Sequence, residues 1–392
     1  GYDYTSLLII NSFRKITIKL KNPLSIYIHW PFCQSKCPYC DFNSHELSAS
    51  LDENRYIDQL LFDLEADRAL THDRTIETLF LGGGTPSLFS ADAISKLLSG
   101  IATRIPIAAD VEVTMEINPG SVEQVSRLAA YRNAGVTRLS IGAQSFGTSQ
   151  LQKLGRIHDP DDTRRVAAAA RQAGFAQVNL DLMHGLPGQT VQDAMRDLEE
   201  ALALAPDHLS WYQLTIEPNT VFYNRPPALP NDEMIDTINE EGARALRDAG
   251  FSQYELSAWA TPDHKCRHNI NYWRFGDYIG IGAGAHGKLT DRGRIIRTTR
   301  TRLPGDYLRS PNRKAAPVAE DERILEIMIC CLRLLAGFRL EDFQARTGLP
   351  GSALNPFLNR AEERGLIARD QDAIIPTERG MHFHNDLLAL ID

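Results

Sequence analysis

The stretch Tyr27-Ile28-His29-Trp30-Pro31-Phe32-Cys33-Gln34-Ser35-Lys36-Cys37-Pro38-Tyr39-Cys40-Asp41-Phe42 sets three cysteines, spaced Cys-x3-Cys-x2-Cys, on a loop directly after a β-forming run. Three thiolates on one short loop can bind three irons of a cubane [4Fe–4S] cluster. The fourth iron is then left without a protein ligand. It is open to the amino and carboxylate groups of S-adenosylmethionine (SAM), and reduction of the cluster can cleave the nearby sulfonium to a deoxyadenosyl radical. Two other readings stay open at this point: a zinc site completed by His29 or His45, and three unrelated thiols. Structural zinc sites use paired cysteine hooks at two separate places, and the sequence shows no second hook.

Beyond this loop, short apolar β-rich segments alternate with amphipathic stretches. Strands are expected at residues 25–30, 78–81, 111–117, 138–141, 177–182 and 209–216, and helices at 56–70, 91–101, 122–134, 162–173 and 191–204. Strand then helix, repeated about six times, means βαβ units, a parallel sheet and the α/β class. Right-handed crossovers curl such a sheet into a full or partial barrel. Polar residues recur where the strands end: Gly82-Gly83-Gly84-Thr85-Pro86, then Glu116 and Asn118, then Gln144, then Asp181 and His184. In such barrels the C-terminal strand ends carry the active site. A glycine run there lets backbone approach a ligand closely.

After residue 230 the pattern changes. A helix is expected at 233–249, an aromatic and glycine-rich region at 254–287, and a proline-bearing linker at 302–317. Helices follow, with a hairpin around 365–376 and a last helix, the order of a winged-helix module. The expected division is 1–24 as an N-terminal extension of unclear role, 25–230 as the barrel, 231–315 as a middle region, and 316–392 as a winged-helix-like α+β extension. The last of these holds eight Arg, no Lys and thirteen Asp plus Glu, and the whole chain carries a net charge of -8. Nucleic-acid binding needs a basic surface, so no nucleic-acid partner is expected.

One local basic strip exists at Lys288, Arg292, Arg294, Arg297, Arg300 and Arg302. It reads either as a solvated hairpin or as a seat for an anion such as a porphyrin propionate. Cys330 and Cys331, in the apolar stretch 327–335, read as core residues. No apolar run reaches the roughly 18–20 residues of a membrane span. A cytoplasmic protein is expected, with peripheral membrane contact left open.

The string from Tyr27 to Cys33, with Cys37-Pro38-Tyr39-Cys40-Asp41-Phe42-Asn43-Ser44-His45, resembles the radical SAM family of oxygen-independent coproporphyrinogen III oxidases and their relatives. Further matches follow in order at 82–87, 116–120, 140–146, 179–189, 211–219 and 268–287. The resemblance implies a radical SAM partial (βα)6 barrel with a C-terminal extension, and the cluster on Cys33, Cys37 and Cys40. It implies SAM contacts at Tyr27, Tyr39, Gly83, Gly84, Thr85, Glu116, Gln144, Arg156 and Asp181. A carboxylate can accept from ribose hydroxyls or an amine, and an arginine can grip a carboxylate.

The oxidases carry a fourth cysteine two positions after the third. Here that position is Phe42, as in the family's haem chaperone branch. His268-Asn269-Ile270-Asn271-Tyr272 fits the H-N-x-x-Y pattern that this branch associates with haem. His268, Tyr272 and Cys266 are therefore haem candidates, and 231–315 a tetrapyrrole-associated region. The implied function is binding haem and delivering it to a haem-accepting protein. The runner-up is radical oxidative decarboxylation of coproporphyrinogen III. Neutral imidazole is the ligating form, so haem binding through His268 is expected to weaken as pH falls through the histidine range.

Overall fold

A computed structural model describes residues 23–47, 51–120 and 122–391. Residues 1–22, most of the expected N-terminal extension, lie outside them. The large sheet is built from β1 (Leu24–Trp30), β2 (Ile76–Gly83), β3 (Ile107–Ile117), β4 (Arg138–Gln144), β5 (Gln177–His184), β6 (His208–Gln213), β7 (Ser252–Glu255), β8 (Ala258–Ala260), β9 (Asp277–Ile281), β10 (His286–Asp291), β11 (Arg294–Thr299) and β12 (Lys314–Pro317). These twelve strands run in the order β12-β11-β10-β9-β1-β2-β3-β4-β5-β6-β8-β7. Strands β1 to β6 are mutually parallel. The α/β reading and the partial barrel of parallel strands both hold.

The parallel array has one member more than expected, because β9 lies parallel to β1 on its outer side. Its sequence, Asp277-Tyr278-Ile279-Gly280-Ile281, is short and glycine-broken, so no local pattern marks it as a barrel strand. The sixth strand also stops before the expected residue 216. Leu214 still donates its N–H to His184 O at 2.9 Å. The chain then turns at Glu217-Pro218-Asn219-Thr220, where Asn219 takes a φ of 65° and Thr220 Oγ1 donates to Glu217 O at 2.7 Å.

Helices return each strand to the next, and their starts are capped as their sequences dictate. Asp159 and Asp162 form a reciprocal capping box, as do Thr190 and Asp193. In Ala91–Ala102 the apolar residues Ala93, Ile94, Leu97, Leu98 and Ile101 fall on one face and are buried. They join a single core with Ile26, Ile28, Leu79, Leu81, Ile141 and Leu180 from the strands.

A second core gathers Phe343, Phe357, Leu358 and Ile374 with Cys330 and Cys331, both buried as expected, and reaches Phe275 and Ile295 beside the large sheet. Around it stand the helices Glu320–Cys331, Leu340–Thr347 and Asn355–Glu363 and a hairpin of Ile367–Asp370 with Ala373–Pro376. Among the described residues no helix is long and apolar enough to cross a membrane.

The basic strip does form a hairpin, β10 with β11, but half of its cations face inward. Arg300 is buried between Asp63 and Asp67. Arg297 pairs with Glu326 at 2.8 Å. Lys288, only 2% exposed, pairs with Asp277 at 2.8 Å and lies 4.3 Å from the Phe275 ring centroid. These three are struts between elements, engaged inside the protein rather than offered to a propionate.

Asp277 is the hub of one such strut. It accepts from Lys288, from Arg74 at 2.7 Å, and from the Thr290 N–H at 2.8 Å and hydroxyl at 2.9 Å. Burial alone would raise its carboxyl, but Lys288 and Arg74 outweigh burial and hold it at about 2. The folded value lies below the unfolded value of roughly 3.9. The contribution is therefore complete above that pH and lost as pH falls towards 2. Asp277→Asn strands Lys288 without a counter-charge and is expected to cost about 3–5 kcal/mol at neutral pH. Urea unfolding of the two proteins at pH 7 checks this; equal midpoints and slopes would refute the strut.

Candidate functional site

The cysteine loop is pinned at both ends before any ligand is considered. His45 N donates to Pro31 O at 2.7 Å and Leu47 N to Cys33 O at 3.0 Å, so Phe32–Cys33 and His45–Glu46 form a short ladder. The glycine run then docks onto it. Gly84 N donates to Trp30 O at 2.6 Å and Thr85 N to Phe32 O at 2.7 Å. A Cβ on Gly84 would stand 2.5 Å from Phe32 O, and Gly83 sits at φ 108°, so neither position takes a side chain without strain.

Two of the three sulfurs are tied to strand ends by hydrogen bonds. Thr85 Oγ1 donates to Cys33 Sγ at 3.8 Å and accepts from Asn118 Nδ2 at 2.7 Å. Asn118 Oδ1 accepts from Arg156 at 2.7 Å, and the same guanidinium donates to Gly142 O at 3.0 Å and to Cys37 Sγ at 3.7 Å. Cys40 Sγ lies 4.0 Å from Ser44 Oγ. Burial raises the Cys33 and Cys40 thiols, against the hydrogen bonds from Thr85 and Ser44. A cleft of about 220 Å³ opens here, lined by Cys37, Thr85, Asn118, Gly155 and Arg156 among others.

Below the glycine loop stands a carboxylate pair. Glu116 accepts from Gly83 N at 2.9 Å. Burial, with the negative Asp181 close by, pushes it up to about 8. Asp181 accepts from Ser140 Oγ at 3.0 Å and Asn179 Nδ2 at 2.8 Å. Gln144, at φ 67°, accepts from Tyr212 OH at 2.8 Å. Tyr27 OH bonds His29 Nδ1 at 2.9 Å. Tyr39 packs beside Phe222 with Leu154, Met183 and Leu214. Of the nine residues named for SAM, Gly83, Gly84, Thr85, Glu116 and Gln144 thus stand at C-terminal strand ends, Arg156 and Tyr39 flank Cys37, and Asp181 and Tyr27 lie further in, Tyr27 stacked on Phe80. Asn118 and Tyr212 stand among them and were not singled out as contacts. The signal for Asn118 is its place two residues after Glu116, just past the end of β3.

The donor set fits a cluster better than a single ion. His29 uses its other nitrogen on Asn43 O at 2.9 Å, so neither ring nitrogen is left for zinc. Among the described residues no three His, Cys, Asp or Glu side chains converge as one ion requires. A cubane takes its three thiolates at three separate irons and does not need that convergence.

The haem candidates lie elsewhere. Cys266 caps the helix Arg267–Trp273, which closes the opposite end of the barrel. Glu112, midway along β3, accepts from Arg267 N and His268 N, both at 3.0 Å, and from Cys266 Sγ at 3.6 Å. His268 is buried, with Nδ1 2.9 Å from Thr78 Oγ1 and its ring 5.1 Å from that of Phe80. Asn271 donates to Ser25 Oγ at 2.8 Å. Tyr272 packs against Trp273 and Tyr278 at the second core. Burial holds Cys266 as a thiol, pushed up to about 12. The H-N-x-x-Y segment is thus the floor plug of the barrel.

Comparison with known proteins identifies the family and agrees with the fold. Residues 27–201 match the radical SAM superfamily and residues 318–383 the HemN C-terminal domain. The haem chaperone HemW of Escherichia coli is 49% identical over 374 residues, covering 94% of this chain and 98% of that protein. HemW of Bacillus subtilis is 34% identical, with 93% and 98% covered. The mitochondrial radical S-adenosyl methionine domain-containing protein 1 of Bos taurus is 36% identical, with 94% and 85% covered. Coproporphyrinogen III oxidase (HemN) of Escherichia coli shares the fold at a TM-score of 0.80 and 23% identity, covering 95% of this chain and 90% of that one.

The floor carries its own test. Burial, aided by the positive charge of Arg138, lowers the His268 ring to about 3. The ring inside the plugged barrel is therefore already neutral across the histidine range. Because the folded value is depressed, this histidine costs stability progressively as pH falls below the unfolded value of roughly 6.5. Its ring nitrogens should show no NMR titration between pH 5 and 8. A midpoint inside that range would mean the ring is exposed.

Proposed function

Since the chain belongs to the radical SAM superfamily and, within it, to the HemW family, we propose that it binds haem and delivers it to acceptor proteins, carrying one [4Fe–4S] cluster and SAM at the barrel mouth. The family brings the cluster and SAM; haem and its delivery are the added reading. The observation that carries it is Phe42. It stands 55% exposed on the cysteine loop, where the oxidases have a further cysteine. Its carbonyl accepts from Lys36 Nζ at 3.2 Å and Ser44 N at 2.7 Å, which shapes the loop without offering a thiolate.

Cys33, Cys37 and Cys40 would hold three irons. Arg156 would grip the SAM carboxylate, Gly83, Gly84 and Thr85 would bind its ammonium end, and Glu116, Gln144 and Asp181 its amine and ribose. Tyr27 and Tyr39 would flank it, Tyr39 near the adenine. Once bound, the pair supplies one-electron reductive chemistry at the mouth. The chain's own part is to orient the ligand and exclude water. Haem would engage the H-N-x-x-Y segment through His268 or Cys266, with Tyr272 against the porphyrin. Reaching His268 requires the helix Arg267–Trp273 to leave the floor, which means releasing Glu112. Residues 231–315 would serve haem, residues 316–392 a partner surface, and the cytoplasm is the proposed location.

Absorption titration of haem into the parent and His268→Ala proteins tests the haem reading, with hydrogen exchange on the helix Arg267–Trp273 as second readout. Haem is expected to bind the parent and to speed exchange at the amides of Arg267 and His268. No Soret change in the parent would end the chaperone reading. SAM-dependent formation of protoporphyrinogen IX under anaerobic reduction would install the oxidase instead.

The cluster assignment is separable. Cys33→Ala, Cys37→Ala or Cys40→Ala should each abolish most of the reconstituted iron and sulfide, while Cys266→Ala and Cys330→Ala should leave it near the parent value. Full cluster content without Cys37 would overturn the assignment.

A further inference from the structure

We propose that Asn118 is a positioning residue for the cluster: its side-chain amide sets hydrogen-bond donors on the sulfurs of Cys33 and Cys37 together, and so raises the cluster's reduction potential. The proposal rests on the cysteine loop being a cluster site.

The direction of every bond in the chain Cys33–Thr85–Asn118–Arg156–Cys37 follows from its arginine end. A guanidinium only donates. The atom of Asn118 that meets Arg156 at 2.7 Å must therefore be the acceptor, Oδ1. That turns Nδ2 to Thr85, again at 2.7 Å. Thr85 Oγ1, receiving that N–H, keeps its single proton for Cys33 Sγ at 3.8 Å. On the other side Arg156 is fixed twice, by Asn118 Oδ1 and by Gly142 O at 3.0 Å, which leaves its remaining terminal nitrogen to donate to Cys37 Sγ at 3.7 Å. Gly142 leaves Asn118 its place, since a Cβ at that position would lie 3.0 Å from Oδ1.

One amide thereby links the glycine loop after β2 to the loop after β4, and fixes the proton of each link. Hydrogen bonds to ligating sulfurs are a principal lever on cluster potential. Donors stabilise the more electron-rich reduced state, so losing them lowers the potential.

The chemistry of asparagine is what the relay needs. An aspartate in its place would accept from Arg156 but could not donate to Thr85. The threonine hydroxyl would then turn its proton to the carboxylate, and Cys33 would lose its donor. Valine at position 85 removes that donor without adding charge, whereas serine keeps it.

The test is redox titration of the reconstituted full-length protein, followed by the EPR signal of the reduced cluster and normalised to iron content. Parent, Asn118→Ala, Asn118→Asp, Thr85→Val, Thr85→Ser and the double variant Asn118→Ala/Thr85→Val are compared. The midpoint should fall in Asn118→Ala, Asn118→Asp and Thr85→Val and stay at the parent value in Thr85→Ser. The double variant should fall by less than the sum of its two singles, because both act through the same Cys33 bond. Parent-like midpoints in Asn118→Ala and Thr85→Val, or strictly additive shifts, would overturn the relay. If Asn118→Ala does not load, the contrast between Thr85→Val and Thr85→Ser still decides. A parent protein that shows no reduced-cluster EPR signal contradicts the cluster reading itself, an outcome distinct from flat midpoints.

Discussion

Two backbone hydrogen bonds, Gly84 N to Trp30 O and Thr85 N to Phe32 O, fasten the glycine loop to the root of the cysteine loop, and the mouth of the barrel is assembled on them. The close approach they hold leaves no space for a Cβ on Gly84. Their effect is to bring Thr85 up to Cys33 and the Gly83 N–H over Glu116. From there the order of the parallel sheet does the rest. Asn118 and Gln144 sit where β3 and β4 end, and Asp181 of β5 bonds Ser140 of β4. The site is thus a property of neighbouring strand ends more than of any one loop.

The interior of the barrel is divided electrostatically between its ends. At the mouth, burial and the closeness of two carboxylates keep Glu116 proton-bearing up to about pH 8. At the floor, Arg138 is almost fully buried, and Glu112 is engaged by the N-terminus of the plug helix. Burial, aided by the same arginine, disfavours protonation of both His208 and His268. The mouth thus holds a carboxyl that keeps its proton at neutral pH, and the floor a neutral imidazole shut under the helix Arg267–Trp273.

Much of this was legible in the sequence, and what was not has a common cause. The cysteine spacing, the glycine run and the polar residues at strand ends are local patterns, and each stands where the βα rhythm puts it. Strand β9 was missed because five residues with one glycine carry no period. Asn118 was visible as a strand-end residue, but not as the bridge between Thr85 and Arg156, because that bridge spans loops whose meeting only the sheet determines. The cations at positions 288, 297 and 300 read as a surface strip since a charge run says nothing of its counter-charges. Asp277, Glu326, Asp63 and Asp67 are scattered along the chain. His268 was found by its motif and misjudged in setting: the pattern does not tell that the ring is under a barrel.

The separation of the two ends bears on which chemistry the proposed haem reading allows. Strand β4 runs from Arg138 at the floor to Gln144 at the mouth, a rise of about 20 Å at roughly 3.3 Å per residue. A radical formed at the mouth abstracts only from an atom in contact with it. In the plugged barrel the His268 ring lies against Phe80, which stacks on Tyr27, and Tyr27 bonds His29 at the mouth end of β1. Oxidative decarboxylation needs the propionate carbons at the mouth, whereas ligation by His268 calls on a helix released from the floor. The two readings thus engage opposite ends of the sheet. That is why Phe42 at the mouth and His268 at the floor, two residues with no contact in common, favour the same function.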